Sequence, residues 1–164
     1  MSTAQAFPLH ARAVNPDIID WLAGCEIFSG LGPGALNKFA SSSELLSFEP
    51  LTEAVIEGEA PDAINIVVSG RFVVLLPCEK LTRLGDSGMM SLDCYLSGDS
   101  FAEAALIDDP LPATASIVAT EKSDVLSISR EKFLEIIAGD ARIGQIVFRN
   151  LFAIQTRRLG NLAA

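Results

Sequence analysis

Positive charge is scarce in this chain of 164 residues. It carries 12 lysines and arginines against 21 aspartates and glutamates, which gives a formal net charge of −9. Binding to nucleic acid depends on clusters of Lys and Arg that neutralise phosphates. The densest basic group is Arg149, Arg157 and Arg158, which we interpret as the end of a helix, where the dipole favours cations. The composition therefore predicts that the chain does not bind nucleic acid by itself.

Histidine is represented once, by His10, in a polar N-terminal stretch. Catalysis by a Ser-His-Asp or Cys-His set needs a histidine beside the nucleophile, so the sequence offers no such set. Asp108 and Asp109 are adjacent and need no explanation beyond solvation. We therefore expect a protein that is not an enzyme and holds no metal.

Cysteine is also rare, with Cys25, Cys78 and Cys94 far apart in the sequence and no CxxC spacing. A disulfide framework or a zinc site is excluded on this pattern. Cys94 falls in phase with the apolar residues of "MMSLDCYL" and is expected to be a small core residue.

Long apolar runs are missing as well. None reaches the roughly 18 residues that cross a bilayer. The N-terminus has no basic segment followed by a long apolar core, so it does not read as a secretory signal. These absences favour a cytoplasmic protein without a membrane partner.

What is present is a globular composition, 49% apolar and 20% charged. We expect a flexible tail over residues 1–15 and one domain over residues 16–164. Its parts are helices over 16–45, a β-roll over 46–129 and helices over 130–164. Pro16 and Asp17 are typical of a helix start, and Ser129 is a good N-cap for the first C-terminal helix.

The middle of the chain alternates apolar and polar residues with a period of two. The stretch "AINIVVSGRFVVLLP" is interrupted by Ser69-Gly70 and predicts a β-hairpin. Two short strands precede it, a turn is expected over Leu84–Gly88, and strands follow in "MMSLDCYL", "ATASIVA" and "DVLSIS". About eight short strands with frequent turns indicate an eight-stranded jelly roll, mainly β with flanking α.

The last helix, over about 141–159, has an apolar stripe wider than packing on one side requires. Either the roll covers the excess or the same helix of a second chain does. The residues expected to form such a dimer contact are Ile143, Val147, Phe148, Leu151 and Ile154. The expected partner is a second copy or another protein, bound through this helix.

Two motifs resemble those of cyclic nucleotide-binding domains. "EGEAPDAINIVVSGRFVV" is similar to the family's hairpin, and "GDSFAEAALIDDPLPATASIVA" is similar to its phosphate-binding cassette. The order of helices, roll and closing helices agrees over residues 17 to 159. The resemblance implies the double-stranded β-helix of catabolite activators and protein kinase A regulatory subunits.

In that family the cassette presents backbone amides and an arginine to the cyclic phosphate, and a glutamate to the ribose. Phe101 and Glu103 match, whereas Ala102 stands where the family has glycine, and Ala113 (or Pro112, without a loop insertion) where it has arginine. The residues that the resemblance places at a ligand site are Gly98, Phe101, Ala102, Glu103, Ala104, Ala113 and Thr114. Glu103 has an alternative role, capping the amides of the cassette helix.

Without the arginine, a contact to phosphate that exceeds about 3 kcal/mol is lost. We therefore expect no cofactor and only weak binding of cAMP or cGMP, with Arg71 or Arg83 as the alternative source of a cation. The resemblance implies a regulatory or signalling module. The alternatives are a sensor of a cyclic nucleotide or other small ligand, and the effector domain of a catabolite-activator-type regulator that lacks its DNA-binding part.

Overall fold

The computed structural model describes residues 5–8, 16–77, 89–109 and 111–163. The helices are α1 (Pro16–Ala23), α2 (Pro33–Ser41), α3 (Arg130–Gly139) and α4 (Ala141–Ala163). Two short 3₁₀ turns cover Glu26–Phe28 and Glu103–Leu106; we call the second the cassette turn. The predicted helix starts are confirmed, and Ser129 Oγ caps α3 by accepting from the Lys132 amide.

Two antiparallel sheets form the roll, which confirms the predicted fold class. The strands are β1 (Gln5–Pro8), β2 (Ser43–Phe48), β3 (Glu53–Val55), β4 (Ala63–Ser69), β5 (Phe72–Pro77), β6 (Met89–Tyr95), β7 (Ser100–Phe101), β8 (Ser116–Ala119) and β9 (Ser123–Ser129). Over the described residues, one sheet has the order β1-β2-β9-β4-β7 and the other the order β3-β8-β5-β6.

The hairpin predicted across Ser69-Gly70 is wrong. Strand β4 pairs with β7 and β9, whereas β5 pairs with β6 and β8, so the chain changes sheets at Gly70. Gly70 has φ +86°, and a Cβ built there would lie 2.1 Å from Ser123 Oγ. That hydroxyl oxygen accepts from the Arg71 amide. A sharp corner supported by Ser123 therefore replaces the expected two-stranded turn.

The tail predicted over residues 1–15 contains a strand. Gln5–Pro8 pairs antiparallel with Glu44–Ser47 and forms the edge of the five-stranded sheet. The flanking residues, with His10, lie outside the described residues, and so do Cys78, Arg83 and the turn expected over Leu84–Gly88.

Cys94 is exposed, so its predicted place in the core is wrong. In the pairing of β5 with β6, Val74 lies opposite Asp93 but Leu75 lies opposite Ser91, so one residue of β6 is skipped. Such a bulge reverses which face the following side chains occupy. As a result Tyr95, not Cys94, points inward, and its ring stacks on Phe101 at a centroid distance of 5.8 Å.

The apolar stripe of α4 packs against other elements of the same chain. Ile143, Val147, Leu151 and Ile154 are buried in a core with α1, α2 and the five-stranded sheet. Four of the five residues predicted as a dimer contact are therefore unavailable to a second chain, and Phe148, 42% exposed, is the exception. A second core cluster fills the space between the two sheets. Among the described residues, no helix is both long enough and apolar enough to cross a membrane.

Candidate functional site

The cassette follows strand β7, where the chain leaves the sheet. Gly98, at φ +91°, turns the chain into β7, and Phe101 is fully buried between the sheets. Ala102 then adopts φ +64° and ψ +31°, the left-handed region in which a Cβ is unfavourable. Glu103 opens the cassette turn directly afterwards. The glycine-like backbone of the cassette is thus kept although its residue is alanine.

The carboxylate of Glu103 accepts hydrogen bonds from two side chains of the same chain. Its Oε1 accepts from Ser100 Oγ at 2.8 Å and from Nη1 of Arg158 at 2.8 Å. The side chains of Glu103 and Arg158 are 14% and 16% exposed, so this is a largely buried ion pair. Both bonds come from side chains and neither from an amide of the cassette turn, so the alternative prediction that Glu103 caps these amides is wrong.

Arg158 is held from three sides. Besides Glu103, its Nη2 donates to the Ser100 carbonyl at 2.6 Å, and its guanidinium lies 4.6 Å from the centroid of the Tyr95 ring. Burial raises the pKa of Tyr95 to about 12, against an opposing effect of the Arg158 charge. Arg158 is therefore a component of the site, not the solvated helix-end cation that the sequence suggested.

A signal for Arg158 was present in the sequence. It lies four residues after Ile154 and seven after Leu151, so it continues the buried stripe of α4 by one turn. A charged residue in phase with a buried stripe needs a partner of opposite charge. The sequence does not show which carboxylate that is, because Glu103 lies 55 residues away.

Two further contacts fix α4 against the N-terminal segment. Arg157 donates to both carboxylate oxygens of Glu26, at 2.8 and 2.6 Å, and lowers the pKa of that carboxyl. Asn150 Nδ2 donates to the carbonyls of Ile27 and Ser29. The helix is thereby anchored along its length, with Arg158 as its contact to the cassette.

An open cavity of about 680 Å³ lies between the cassette, the four-stranded sheet and α4. It brings together five of the predicted site residues, namely Ala102, Glu103, Ala104, Ala113 and Thr114. Gly98 and Phe101 do not line it. The sheet contributes Val55, Val74 and Ile117, and α4 contributes Phe148, Leu151, Phe152 and Gln155. The α4 residues were not predicted at a ligand site.

The cavity wall contains one charged residue among those described, Glu103. Ala113 and Pro112, the two candidates for the arginine position, both line it and carry no charge. Arg71 is exposed and lies away from it. Arg130 does approach the cassette, but it donates to the carbonyls of Ile107 and Asp108 from outside the cavity. Within the described part of the chain, no three residues are grouped as a metal site.

Known proteins share this architecture. The family model described as "Cyclic nucleotide-binding domain" matches residues 45–140. A cAMP-dependent protein kinase regulatory subunit from Yarrowia lipolytica is 33% identical over 111 residues, which is 68% of this chain and 27% of that protein. The chain thus spans about a quarter of the length of this curated relative.

Solved structures of two other proteins are similar to this fold. The catabolite activator protein of Thermus thermophilus superposes with a TM-score of 0.66 at 27% identity, covering 82% of this chain and 58% of that one. A cyclic nucleotide-binding domain from Methylobacillus flagellatus gives a TM-score of 0.72 at 18% identity, over 89% of this chain and 78% of that one. At that identity the second similarity shows the fold alone.

Proposed function

Because the chain belongs to the cyclic nucleotide-binding domain family, we propose that it is a non-enzymatic regulatory domain that does not bind cAMP or cGMP tightly. The observation that carries this proposal is the Arg158–Glu103 ion pair, which occupies the carboxylate that the family's pattern assigns to the ribose. A nucleotide that used Glu103 would have to break this pair first.

The missing arginine supports the same conclusion. A bidentate guanidinium contact to phosphate contributes more than about 3 kcal/mol, or over a hundredfold in affinity. Ala113 and Pro112 cannot supply it, and Glu103 is the only charged residue among the described cavity residues. A cyclic phosphate would therefore lose its water shell without gaining a cation.

The regulatory output of the domain is assigned to α4. Arg158 joins this helix to the cassette, and Arg157 and Asn150 join it to the segment Glu26–Ser29. A partner that competes with Arg158 for Glu103 releases the last turns of α4, whereas a ligand that leaves the pair intact holds them in place. A ligand shifts the population between the bound and the released position of α4 only if it binds one of them more tightly than the other. This favours a scaffold whose helix responds to occupancy of the cavity.

Restoring the lost charge tests the proposal. We expect Ala113→Arg to bind a fluorescent cAMP analogue at least about tenfold more tightly than the neutral Ala113→Met, measured by anisotropy. Adding Arg158→Gln should strengthen binding further, because Glu103 then becomes free for the ribose. If the wild-type chain already binds the analogue as well as Ala113→Arg does, the proposal is wrong.

We further propose that the domain dimerises through a different face of α4 from the one first expected. Phe148, Phe152, Leu159 and Leu162 are 42%, 76%, 69% and 55% exposed. They recur with spacings of four, seven and three residues, the a/d pattern of a two-stranded coiled coil, with Gln155 at the intervening d position. Because this pattern is self-complementary about a two-fold axis, the occupant that fits it is the α4 of a second copy.

Sedimentation velocity tests this seam. We expect a particle of about twice the 17.4 kDa chain mass, converted to a monomer by Leu159→Asp. The control, Ala153→Asp, lies on the same helix outside the seam and should leave the dimer intact. A wild-type monomer at high micromolar concentration would contradict the seam.

A further inference from the structure

The cavity has the size of a small-molecule site but not the charge of an anion site. Its volume of about 680 Å³ falls within the range of roughly 300–1,000 Å³ typical of drug-sized ligands. Its walls are apolar on three sides, from β-strand residues such as Val55 and Ile117, cassette residues such as Leu106, and Phe148 of α4. Binding of an apolar ligand in such a cavity is favourable, because it removes apolar surface of both the ligand and the walls from water.

The charge of the cavity is balanced internally. Glu103 is the only charged residue among its described lining residues, and Arg158, which does not line the cavity, neutralises it at 2.8 Å. An anionic ligand therefore finds no cation to pair with, and a cationic ligand finds a carboxylate that is already paired. Burying an unpaired charge is costly, so both classes are disfavoured relative to a neutral molecule.

The open side of the cavity carries apolar surface that remains in water. Ile107 and Leu111 line the cavity and are 45% and 63% exposed. Contiguous exposed apolar surface next to a concavity is typical of a binding site. Thr114 and Gln155, also exposed and part of the lining, supply a hydroxyl and an amide that can orient one or two polar atoms.

From these observations we propose that the cavity binds an uncharged, mainly apolar small molecule in place of a cyclic nucleotide. The proposal rests on the proposed function, since it takes the cassette to be unable to hold a cyclic phosphate. Occupancy by such a ligand would fill the space between the sheet and α4 without breaking the Arg158–Glu103 pair. The ligand would thus stabilise the arrangement of α4 that the structure shows.

A pair of dyes that differ by one charge tests the ligand class. N-phenyl-1-naphthylamine is neutral, and 1-anilinonaphthalene-8-sulfonate adds a sulfonate to the same rings. We expect the neutral dye to give saturable fluorescence enhancement with the full chain, with a dissociation constant at least about tenfold below that of the sulfonate. Equal or tighter binding of the sulfonate, or no saturable binding of the neutral dye, would overturn the proposal.

Two substitutions locate the bound dye. Ala113→Arg and Gln155→Arg each add a cation to the cavity wall, from the cassette side and from α4, and should strengthen binding of the sulfonate by about tenfold. Ala113→Met and Gln155→Met are the neutral controls of similar length. Ala153→Asp, on α4 but outside both the cavity and the proposed seam, should leave binding of the neutral dye unchanged. If neither cationic variant alters sulfonate binding, the dyes bind elsewhere and the inference is wrong.

A parallel titration with cAMP separates the two proposals. Tight binding of cAMP by the wild-type chain would contradict the proposed function, whatever the dyes do. Absence of binding by both cAMP and the neutral dye would leave the proposed function standing and would overturn the present inference alone.

Discussion

The guanidinium of Arg158 donates to the carboxylate of Glu103 at 2.8 Å, and both side chains are largely buried. The contact joins the last turns of α4 to the cassette, 55 residues earlier in the chain. It places the chain's own cation on the glutamate that the family pattern reserves for a ribose.

A double-mutant cycle measures the strength of the pair. Arg158→Gln should lower the free energy of unfolding by about 2 kcal/mol or more, because it leaves a largely buried carboxylate without its cation. With Glu103→Gln and the double variant, we expect a coupling energy of about 1–3 kcal/mol. Urea unfolding monitored by fluorescence of Trp21, the single tryptophan, gives these values. Arg149→Gln, exposed on the same helix, should change stability by less than about 0.5 kcal/mol. Additive single effects would show that the two residues do not interact.

The corner between the sheets predicts that alanine is less well tolerated at one of two glycines that have nearly the same φ. Gly70 and Gly58 have φ +86° and +87°, but only at Gly70 would a Cβ meet another residue, Ser123. Gly58→Ala should cost about 1–2 kcal/mol from backbone strain alone. Gly70→Ala should cost about 3 kcal/mol or more, because overlap adds to strain. Equal losses in chemical denaturation would contradict the described corner.

The left-handed backbone conformation of Ala102 predicts that glycine at this position stabilises the chain. Ala102→Gly should raise the free energy of unfolding by about 1 kcal/mol, because glycine adopts φ +64° without a Cβ penalty. Ala104→Gly, within the cassette turn and without a positive φ, should instead lower it by roughly 0.5–1 kcal/mol. A loss of stability in Ala102→Gly would show that the cassette backbone is not left-handed.

The burial of Tyr95 predicts that its phenol loses its proton at a higher pH in the folded chain than in the unfolded chain. Its pKa is raised from 10.0 to about 12, mainly by burial. Since the folded state favours the protonated phenol, this group contributes fully to stability below pH 10, and the contribution is lost as the pH rises from 10 towards 12. Tyr95 is the single tyrosine, so phenolate absorbance reports it directly, with the urea-unfolded chain as a control that titrates near 10. A midpoint near 10 in the folded chain would contradict its burial.

Much of the fold could be predicted from local pattern. Period-two alternation located the strands, and the helical spacing of α4 identified its buried stripe. The placement of β4 and β5 in different sheets could not be predicted, because alternation reports which residues face inward and not which sheet receives the next strand. The inward face of β6 was misjudged at Cys94, since a bulge opposite Val74 and Leu75 shifts the phase.

The candidate site was predictable in outline but not in its charge balance. The cassette residues Ala102, Glu103, Ala113 and Thr114 line one cavity, and their part in ligand binding stays a prediction from their resemblance to a known motif. The sequence offered Arg71 or Arg83 as the compensating cation. Arg158 was overlooked because its contact depends on how α4 packs across the roll, which is long-range information that no local pattern carries.

Calorimetric titration of the wild-type chain with cAMP tests the central claim most directly. A cassette that has kept its backbone, lost its arginine and paired Glu103 with Arg158 should give no measurable binding up to about 100 μM, which means a binding free energy less favourable than about −5.5 kcal/mol. A dissociation constant of about 1 μM or lower, with cAMP in contact with Glu103, would contradict it.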